Sequence, residues 1–324
     1  MHQQVSVVIC AFTEDRWGDL VAARESLQRQ SISPDQVIIV IDHNQTLLER
    51  ARRRFTDAEV IPNAEDKGLS GARNTGVGMA SAEIVLFLDD DAVAETEWVK
   101  YMAEPFDRKE VVGVGGLALP NWDAGKRPLW FPEEFLWVVG CSYVGLPSDG
   151  ASIRNPIGSS MGFRKSSVVA SGGFSPGLGR IGSKPLGGEE TDLSMRIRQR
   201  SVSNEVVLCR RAIVNHRVPV ERQRISYFVR RCYWEGISKS AIVRRQAAGE
   251  KSWARSLSTE QSYVLSVLPT GVIRGIGKAM RGFSLGLLGS PVAIVGGLVA
   301  TCVGYARGAF VQDWADHVRA LPYR

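Results

Sequence analysis

The sequence predicts an α/β fold in which a mixed, mostly parallel sheet carries helices on both faces. Three observations support this fold class. Continuous apolar runs recur at residues 5–11, 37–41 and 84–88, as expected of strands that are buried on both faces. Amphipathic segments separate these runs, and strands that alternate with helices form parallel sheets with right-handed crossovers. Polar residues follow each run, so a ligand is expected at the carboxyl ends of the strands.

The order of elements follows from the spacing of apolar residues. Leu20, Ala23 and Leu27 recur at helical spacing and predict a helix after the first strand. The other elements predicted in this half are strands at 37–41, 60–61 and 84–88, a helix at 47–55 and a short helix at 75–80. Glycine-rich residues 68–74 are therefore expected to form a loop that permits close backbone approach to a ligand.

The composition is that of a globular protein with an uneven charge distribution. Of the 324 residues, 44% are hydrophobic and 23% are charged, which excludes a disordered chain. Residues 196–255 contain 15 Lys or Arg against four Glu, although the whole chain carries only +6. This segment is expected to meet an anionic partner such as lipid headgroups. It has no recognised nucleic-acid module, so no nucleic acid is expected as a partner.

Three consecutive aspartates end the third long apolar run. Asp89 and Asp91 are two residues apart, so both can face one ligand while Asp90 lies between them. Adjacent carboxylates repel one another in a partly dry crevice, and a bound cation or a proton relieves this repulsion. Carboxylate oxygens are ligands that suit Mg²⁺ or Mn²⁺. The sequence therefore predicts a divalent-metal site here.

Polar groups at two other strand ends are expected at the same crevice. Residues 13–16, beginning at Thr13, follow the first strand, and Asp42 follows the second. Asp42 is placed like an acidic residue that contacts the ribose or base of a nucleotide, although a turn former is an equal alternative. Arg73 can pair with phosphate oxygens. The chain has neither GxGxxG after the first strand nor GxxxxGK[ST], which argues against a dinucleotide fold and a P-loop NTPase.

Together these motifs resemble those of the family 2 inverting glycosyltransferases, which have the GT-A fold. The shared motifs span residues 5–220 and are TEDR after the first strand, Asp42, GLSGARN, FLDDDA and GGEETDL. The resemblance implies a nucleotide-sugar donor, with a UDP-sugar expected. It implies that Asp42 holds the uracil or ribose side and that Asp89 and Asp91 form the DxD site for the metal-bound diphosphate. The donor-binding residues expected on this basis are Thr13, Asp42, Arg73, Asp89 and Asp90.

The GGEETDL motif carries the expected catalytic base. An inverting transfer to a hydroxyl needs one group that removes the acceptor proton, and a carboxylate at a helix start can do this. The resemblance places Glu190 where the family usually has Asp, and Glu189 and Asp192 remain alternatives because Glu is longer by one methylene. His216 matches a family position that supplies a third metal ligand, beside Asp89 and Asp91. A segment at 159–164 also matches, with Ser160 where the family usually has Asn.

The C-terminal part is predicted to associate with a membrane. We expect a catalytic domain at 1–220, a basic amphipathic helical segment at 221–260 and apolar membrane-associated helices at 261–324. Residues 282–306 contain no charge and are long enough to cross a hydrocarbon core of about 30 Å, or to form a re-entrant segment or a packed helix. The larger positive cluster precedes this segment, which favours the cytoplasmic face of the membrane.

These features predict a metal-dependent inverting glycosyltransferase. The expected reaction moves a sugar from a nucleotide diphosphate to a hydroxyl or phosphate acceptor, such as a lipid-linked glycan or a polyprenyl phosphate. One alternative is a nucleotidyltransferase that makes nucleotide-sugars, which would normally have a glycine- and lysine-rich loop after the first strand. A second alternative is a membrane-tethered protein that binds a nucleotide-sugar without catalysis.

Overall fold

The computed structural model describes residues 3–176, 178–179, 187–247, 261–282 and 288–310. The chain forms two compact units. The first comprises Met1–Leu119, Pro147–Lys184 and Glu189–His216, and the second comprises Pro120–Leu146, Pro185–Gly188 and Arg217–Arg324. The predicted division at residues 220 and 260 stays a prediction, and its segments 248–260, 283–287 and 311–324 lie outside the described residues.

An eight-stranded mixed sheet has the order β3-β2-β1-β4-β7-β6-β8-β5. The strands are β1 Val5–Ala11, β2 Gln36–Ile41, β3 Glu59–Pro62, β4 Ile84–Asp89, β5 Ala92–Ala94, β6 Val111–Trp122, β7 Ser160–Arg164 and β8 Glu205–Val218. The neighbours β3, β2, β1 and β4 are parallel, whereas β7 pairs antiparallel with both β4 and β6, and β5 pairs antiparallel with β8. The predicted mixed α/β sheet is confirmed.

Helices cover both faces of the parallel half, as the continuous apolar runs predict. The helices of the first unit are α1 Trp17–Gln28, α2 Gln45–Arg54, α3 Leu69–Met79, α4 Trp98–Ala103, α5 Lys165–Ala170 and α6 Glu189–Arg200. Side chains of β1 alternate between two cores because successive residues of a strand point to opposite faces. Val7 and Ile9 join the core that includes residues of α1, α2 and α4, while Val8 joins residues of α3, α5 and α6.

One predicted element differs from the structure in a way that affects the site. The sequence predicts a loop for the GLSGARN segment before a helix at 75–80, but α3 already begins at Leu69. Gly68 precedes the helix with φ +135°, a conformation that favours glycine, so the turn lies one residue before the helix. Arg73 is therefore held on a helix, where its side chain has a fixed direction.

The second unit has its own core of aromatic and aliphatic side chains. Its long helices are α7 Ile225–Ala247, α8 Leu268–Gly282 and α9 Gly289–Phe310. Phe131 and Phe135 pack with Phe228 of α7, with ring centroids 5.4 and 5.3 Å apart, and Leu268 and Ile294 belong to the same cluster. Within the described part of the chain, α9 is the one helix that is long and apolar enough to cross a membrane.

Candidate active site

The sheet brings Asp89, Asp91 and His216 together. Asp89 is the last residue of β4, and Asp91 lies between β4 and β5. His216 is on β8, directly opposite Ala92 in the antiparallel pairing of β5 with β8. This register places the imidazole beside the residue that precedes Ala92, and His216 Nε2 lies 3.1 Å from Asp91 Oδ1. The pairing of two strands that are far apart in sequence thus completes the cluster.

The donor set of this cluster fits a divalent cation. One ligand atom from each of Asp89, Asp91 and His216 lies within 4.8 Å of the others. Two carboxylate oxygens and an imidazole nitrogen form a set that suits Mn²⁺, and the oxygens also suit Mg²⁺. Asp91 and His216 are both buried, which limits competition by water for their ligand atoms. These three residues can therefore hold the predicted metal.

Asp90 points to a different partner. Arg16 NH1, at the turn after β1, lies 2.8 Å from Asp90 Oδ1 and 3.2 Å from Asp91 Oδ2. Burial raises the pKa of Asp90 to about 7, against the opposing effect of Arg16, and the nearby carboxylates of Asp91 and Asp89 add to the rise. Its second oxygen, Oδ2, is buried and has no hydrogen-bond partner among the residues that the structure describes. Asp90 is thus paired with Arg16 inside the protein, and the positive charge of Arg16 offsets part of the negative charge of Asp90 and Asp91.

Arg73 joins β4, which ends at Asp89, to α6. Its side chain is only 2% exposed, and its NH1 lies 2.8 Å from Glu189 Oε1 while its NH2 lies 3.3 Å from Asp89 Oδ1. NH2 also donates to the carbonyl oxygen of Gly158, at 3.3 Å. Burial alone would lower the pKa of Arg73, but Glu189 and Asp89 more than offset that effect and raise it above the ordinary value. Arg73 therefore remains cationic between two carboxylates.

The three candidate bases at the start of α6 have different surroundings. Glu189 is buried and paired with Arg73, as described above. Asp192 is also buried, and its Oδ2 accepts from Ser175 Oγ at 2.6 Å and from Arg196 NH2 at 2.8 Å. Glu190 is more exposed than either. The choice of Glu190 as the base, with Glu189 and Asp192 as alternatives, stays a prediction.

Comparison with known proteins decides the family. The family model described as "Glycosyl transferase family 2" matches residues 6–170. The chain belongs to glycosyl transferase family 2. The predicted resemblance is confirmed, and so is the prediction that the chain is a glycosyltransferase with the GT-A fold.

Relatives of this glycosyltransferase are similar over most of its length. Glucosyl-dolichyl phosphate glucuronosyltransferase of Haloferax volcanii is 28% identical over 319 residues, which cover 97% of this chain and 98% of the relative. Mannosyltransferase PcManGT from Pyrobaculum calidifontis, solved with GDP-Man and Mn²⁺, is 16% identical with a TM-score of 0.58 over 93% of this chain and 88% of that one. GalNAc-T7, solved with UDP, GalNAc and Mn²⁺, is 14% identical with a TM-score of 0.52, over 81% and 54%.

Two predicted donor-binding residues of the glycosyltransferase already have partners within the protein. Asp42 is buried, and its oxygens accept from Asn63 Nδ2 at 2.7 Å and from the backbone N–H of Gly68 at 3.0 Å. It therefore fixes the turn that begins α3. Thr13 is partly exposed, and its Oγ1 accepts from the Asp15 N–H at 3.3 Å at the start of a short turn. Contact of either residue with a donor stays a prediction.

Two features of the site were not anticipated from the sequence. The sequence places Arg16 in the polar segment after β1 but does not predict its pairing with Asp90. The sequence feature that indicates this pair is a single arginine after the first strand, at the edge of the sheet where the three aspartates are also predicted to lie. The second feature is Ser160, which is fully buried and accepts from Trp98 Nε1 at 2.9 Å. Ser160 thus anchors α4 to the sheet.

Proposed function

We propose that this glycosyltransferase is a metal-dependent, inverting enzyme that uses a nucleotide-diphosphate sugar, with a UDP-sugar as the preferred donor. The observation that carries the proposal is the convergence of Asp89, Asp91 and His216, with ligand atoms within 4.8 Å of one another. The two solved structures with this fold hold Mn²⁺ together with GDP-Man or UDP. Asp89, Asp91 and His216 would hold the ion, which would neutralise the negative charge of the departing diphosphate.

The remaining roles follow from the partners of each side chain. Arg73 and Arg16 compensate the charge of the aspartates and keep Asp89 and Asp91 oriented. Glu190 accepts the proton of the acceptor hydroxyl while the oxygen attacks the anomeric carbon of the sugar. The bond from that carbon to the diphosphate breaks as the new bond forms, so the configuration inverts and the nucleoside diphosphate leaves. Thr13, Asp42 and Asp90 are proposed to line or support the donor site.

We further propose a lipid-linked acceptor with a free hydroxyl at a membrane. The Haloferax relative, similar along nearly its whole length, carries glucosyl-dolichyl phosphate in its name. The second unit also contains a helix that is long and apolar enough for a membrane, and basic residues precede it. Catalysis at the cytoplasmic face fits the excess of basic residues at 196–255, because the anionic lipids of that leaflet attract positive charge.

A product assay tests this proposal. The full chain would be incubated with UDP-sugars, and separately with GDP-mannose, plus a glucosylated polyprenyl phosphate, with Mn²⁺ or with chelator. We expect a lipid product only with metal, a preference for a UDP-sugar and a product whose new glycosidic bond has the opposite anomeric configuration to the donor, read by proton coupling constants. Asp91→Asn should abolish transfer, while Glu49→Gln on the exposed surface of α2 should not change it. Retained configuration, or equal transfer by Asp91→Asn, would defeat the proposal.

A further inference from the structure

Helix α9 has one apolar face that no described part of the chain covers. Val292, Val295, Val299, Val303 and Phe310 are 54–86% exposed. At 100° per residue these positions fall on one narrow stripe that extends from one end of the helix to the other. Eighteen residues separate the first from the last, so the stripe is about 27 Å long. A stripe of this size is unusual on a surface that faces only water.

The opposite face of α9 is packed directly against α7. A Cβ at Gly304 would lie 2.0 Å from the carbonyl oxygen of Tyr233, and a Cβ at Gly236 would lie 2.0 Å from that of Thr301. Near the end of the contact, a Cβ at Gly308 would lie 2.1 Å from Ser240 Oγ. The glycines thus allow the backbones of the two helices to approach closely, and α7 runs alongside α9 for several turns.

The charges of α7 are incompatible with a membrane-spanning α9. The α7 segment in contact with α9 carries Arg230, Arg231, Glu235 and Lys239. Arg230 is exposed, while Arg231 and Lys239 lie 2.8 and 3.5 Å from the Glu235 carboxylate. If α9 crossed a bilayer along its normal, this segment of α7 would lie at the same depth, and its charges would enter the hydrocarbon. Parallel packing with a charged helix favours an orientation in the membrane plane.

Helix α8 has the pattern of an interfacial helix. Ile273, Ile276 and Met280 form an exposed apolar stripe, and on the helical wheel Arg281 lies about 100° from the centre of this stripe and Lys278 almost opposite it. The α8 and α9 helices pack together, since a Cβ at Gly275 would lie 2.5 Å from the Pro291 ring. Residues 261–310 contain four Lys or Arg and no Asp or Glu. This charge is complementary to anionic lipid headgroups.

We propose that α9 lies in the plane of an anionic bilayer surface, with the stripe from Val292 to Phe310 inserted at the boundary between headgroups and acyl chains and with α8 beside it. The helix does not cross the membrane. This inference deepens the membrane association proposed above, but it does not depend on any step of sugar transfer, since insertion depth is measured without substrates.

Depth measurements distinguish the two orientations. In a Cys302→Ser background, spin labels would be attached to Val292→Cys, Val299→Cys and Phe310→Cys of the full chain, bound to vesicles of phosphatidylcholine and phosphatidylglycerol. We expect the three labels to have depths equal to within about 4 Å, in the range of about 5–10 Å below the headgroups that interfacial helices reach. A label on Glu49→Cys, on the exposed surface of α2, should remain in water. A spanning helix would place the central label about 10 Å deeper than an end label, because the rise is about 1.5 Å per residue, and that result would overturn the proposal.

Measurements of vesicle binding provide a second test, which does not require the spin-labelled cysteine variants. Lys278→Gln with Arg281→Gln should weaken partition into anionic vesicles roughly tenfold or more, with little effect on vesicles of phosphatidylcholine alone. Val295→Asp with Val299→Asp should abolish vesicle binding while the circular dichroism spectrum is retained, because these side chains project away from the α7 contact. Unchanged binding in both double variants would overturn the proposal. So would a dimer in detergent-free buffer that depends on Val299 and does not bind vesicles, since a second copy would then cover the stripe.

Discussion

The Arg73 guanidinium lies 2.8 Å from the Glu189 carboxylate, and both side chains are almost completely buried. The two residues are 116 positions apart in sequence. Their pairing connects α3 to the start of α6, and a second nitrogen of Arg73 extends the connection to Asp89. One buried cation therefore links β4, which carries one of the proposed metal ligands, to the helix that carries the proposed base.

This ion pair leads to a prediction about stability. Arg73→Met should lower the free energy of unfolding by about 3–5 kcal/mol, because it leaves the buried Glu189 carboxylate without its counter-charge. Urea unfolding would measure the loss. Adding Glu189→Gln to Arg73→Met should recover part of it, since the uncompensated charge is then removed. Arg54→Met is the matched control, because Arg54 also lies 2.8 Å from a glutamate, Glu25, but on the exposed surface, where such pairs contribute about 0–1 kcal/mol. Equal losses for the two single variants would contradict the buried role of Arg73.

The base assignment predicts that the two neighbouring glutamates respond differently to amide substitution. Glu190→Gln should lower turnover by about 10²–10⁴-fold, the usual contribution of a positioned base. Glu189→Gln should instead lower the unfolding midpoint, because it weakens the compensation of Arg73. Initial rates at saturating donor, with thermal unfolding of the same preparations, would separate the two effects. A Glu190→Gln enzyme with full turnover would move the base assignment to Glu189 or Asp192.

The metal cluster predicts a selective effect of one histidine. His216→Asn should raise the Mn²⁺ concentration needed for stabilisation by at least about tenfold, because it replaces an imidazole ligand beside Asp91. Thermal unfolding during a Mn²⁺ titration measures this directly, since an ion that binds only the folded chain raises its stability. His43→Asn is the control, because His43 is half exposed and asparagine tolerates its positive φ of 49°. If the cluster binds no ion, the unfolding temperatures of His216→Asn and His43→Asn would depend on the Mn²⁺ concentration in the same way, and the assignment of His216 as a ligand would be wrong.

Much of the fold could be predicted because local pattern and tertiary environment agree in the central strands. The run Ile84–Leu88 is apolar at every position, and the structure buries it between helices on both faces. The three aspartates that follow end up at the carboxyl end of a parallel strand, where ligands bind in such sheets. The grouping of Asp89 with Asp91 follows from local alternation alone, whereas His216 required either the family resemblance or the β5–β8 register.

Sequence patterns do not predict the role of a residue where tertiary packing determines that role. Glycines in GLSGARN suggested a loop, but Gly71 is helical, and a Cβ there would lie 2.3 Å from the carbonyl oxygen of Asp66. This glycine is needed for close approach of the preceding chain, not for a turn. Similarly, the contact of Ser175 with the Asp192 carboxylate comes from the fold as a whole, and single-sequence patterns do not reveal it. The pairing of Asp192 with Arg196 is different, because the two residues are four apart on α6 and helical spacing brings their side chains together.

Two of the three glycines of α3, Gly71 and Gly78, are predicted to have opposite effects on stability when replaced by alanine. Gly71→Ala should destabilise the chain by about 1–3 kcal/mol, because the new methyl group collides with the Asp66 carbonyl and forces a backbone shift. Gly78→Ala should stabilise it by up to about 1 kcal/mol, because a Cβ there meets no atom of the described residues within 4 Å and alanine favours the helix. Chemical unfolding of both variants tests the pair. If Gly71→Ala were also stabilising, the residues at 68–74 would form the flexible loop suggested by the sequence, and Arg73 would lose the rigid support that aligns it with Glu189 and Asp89.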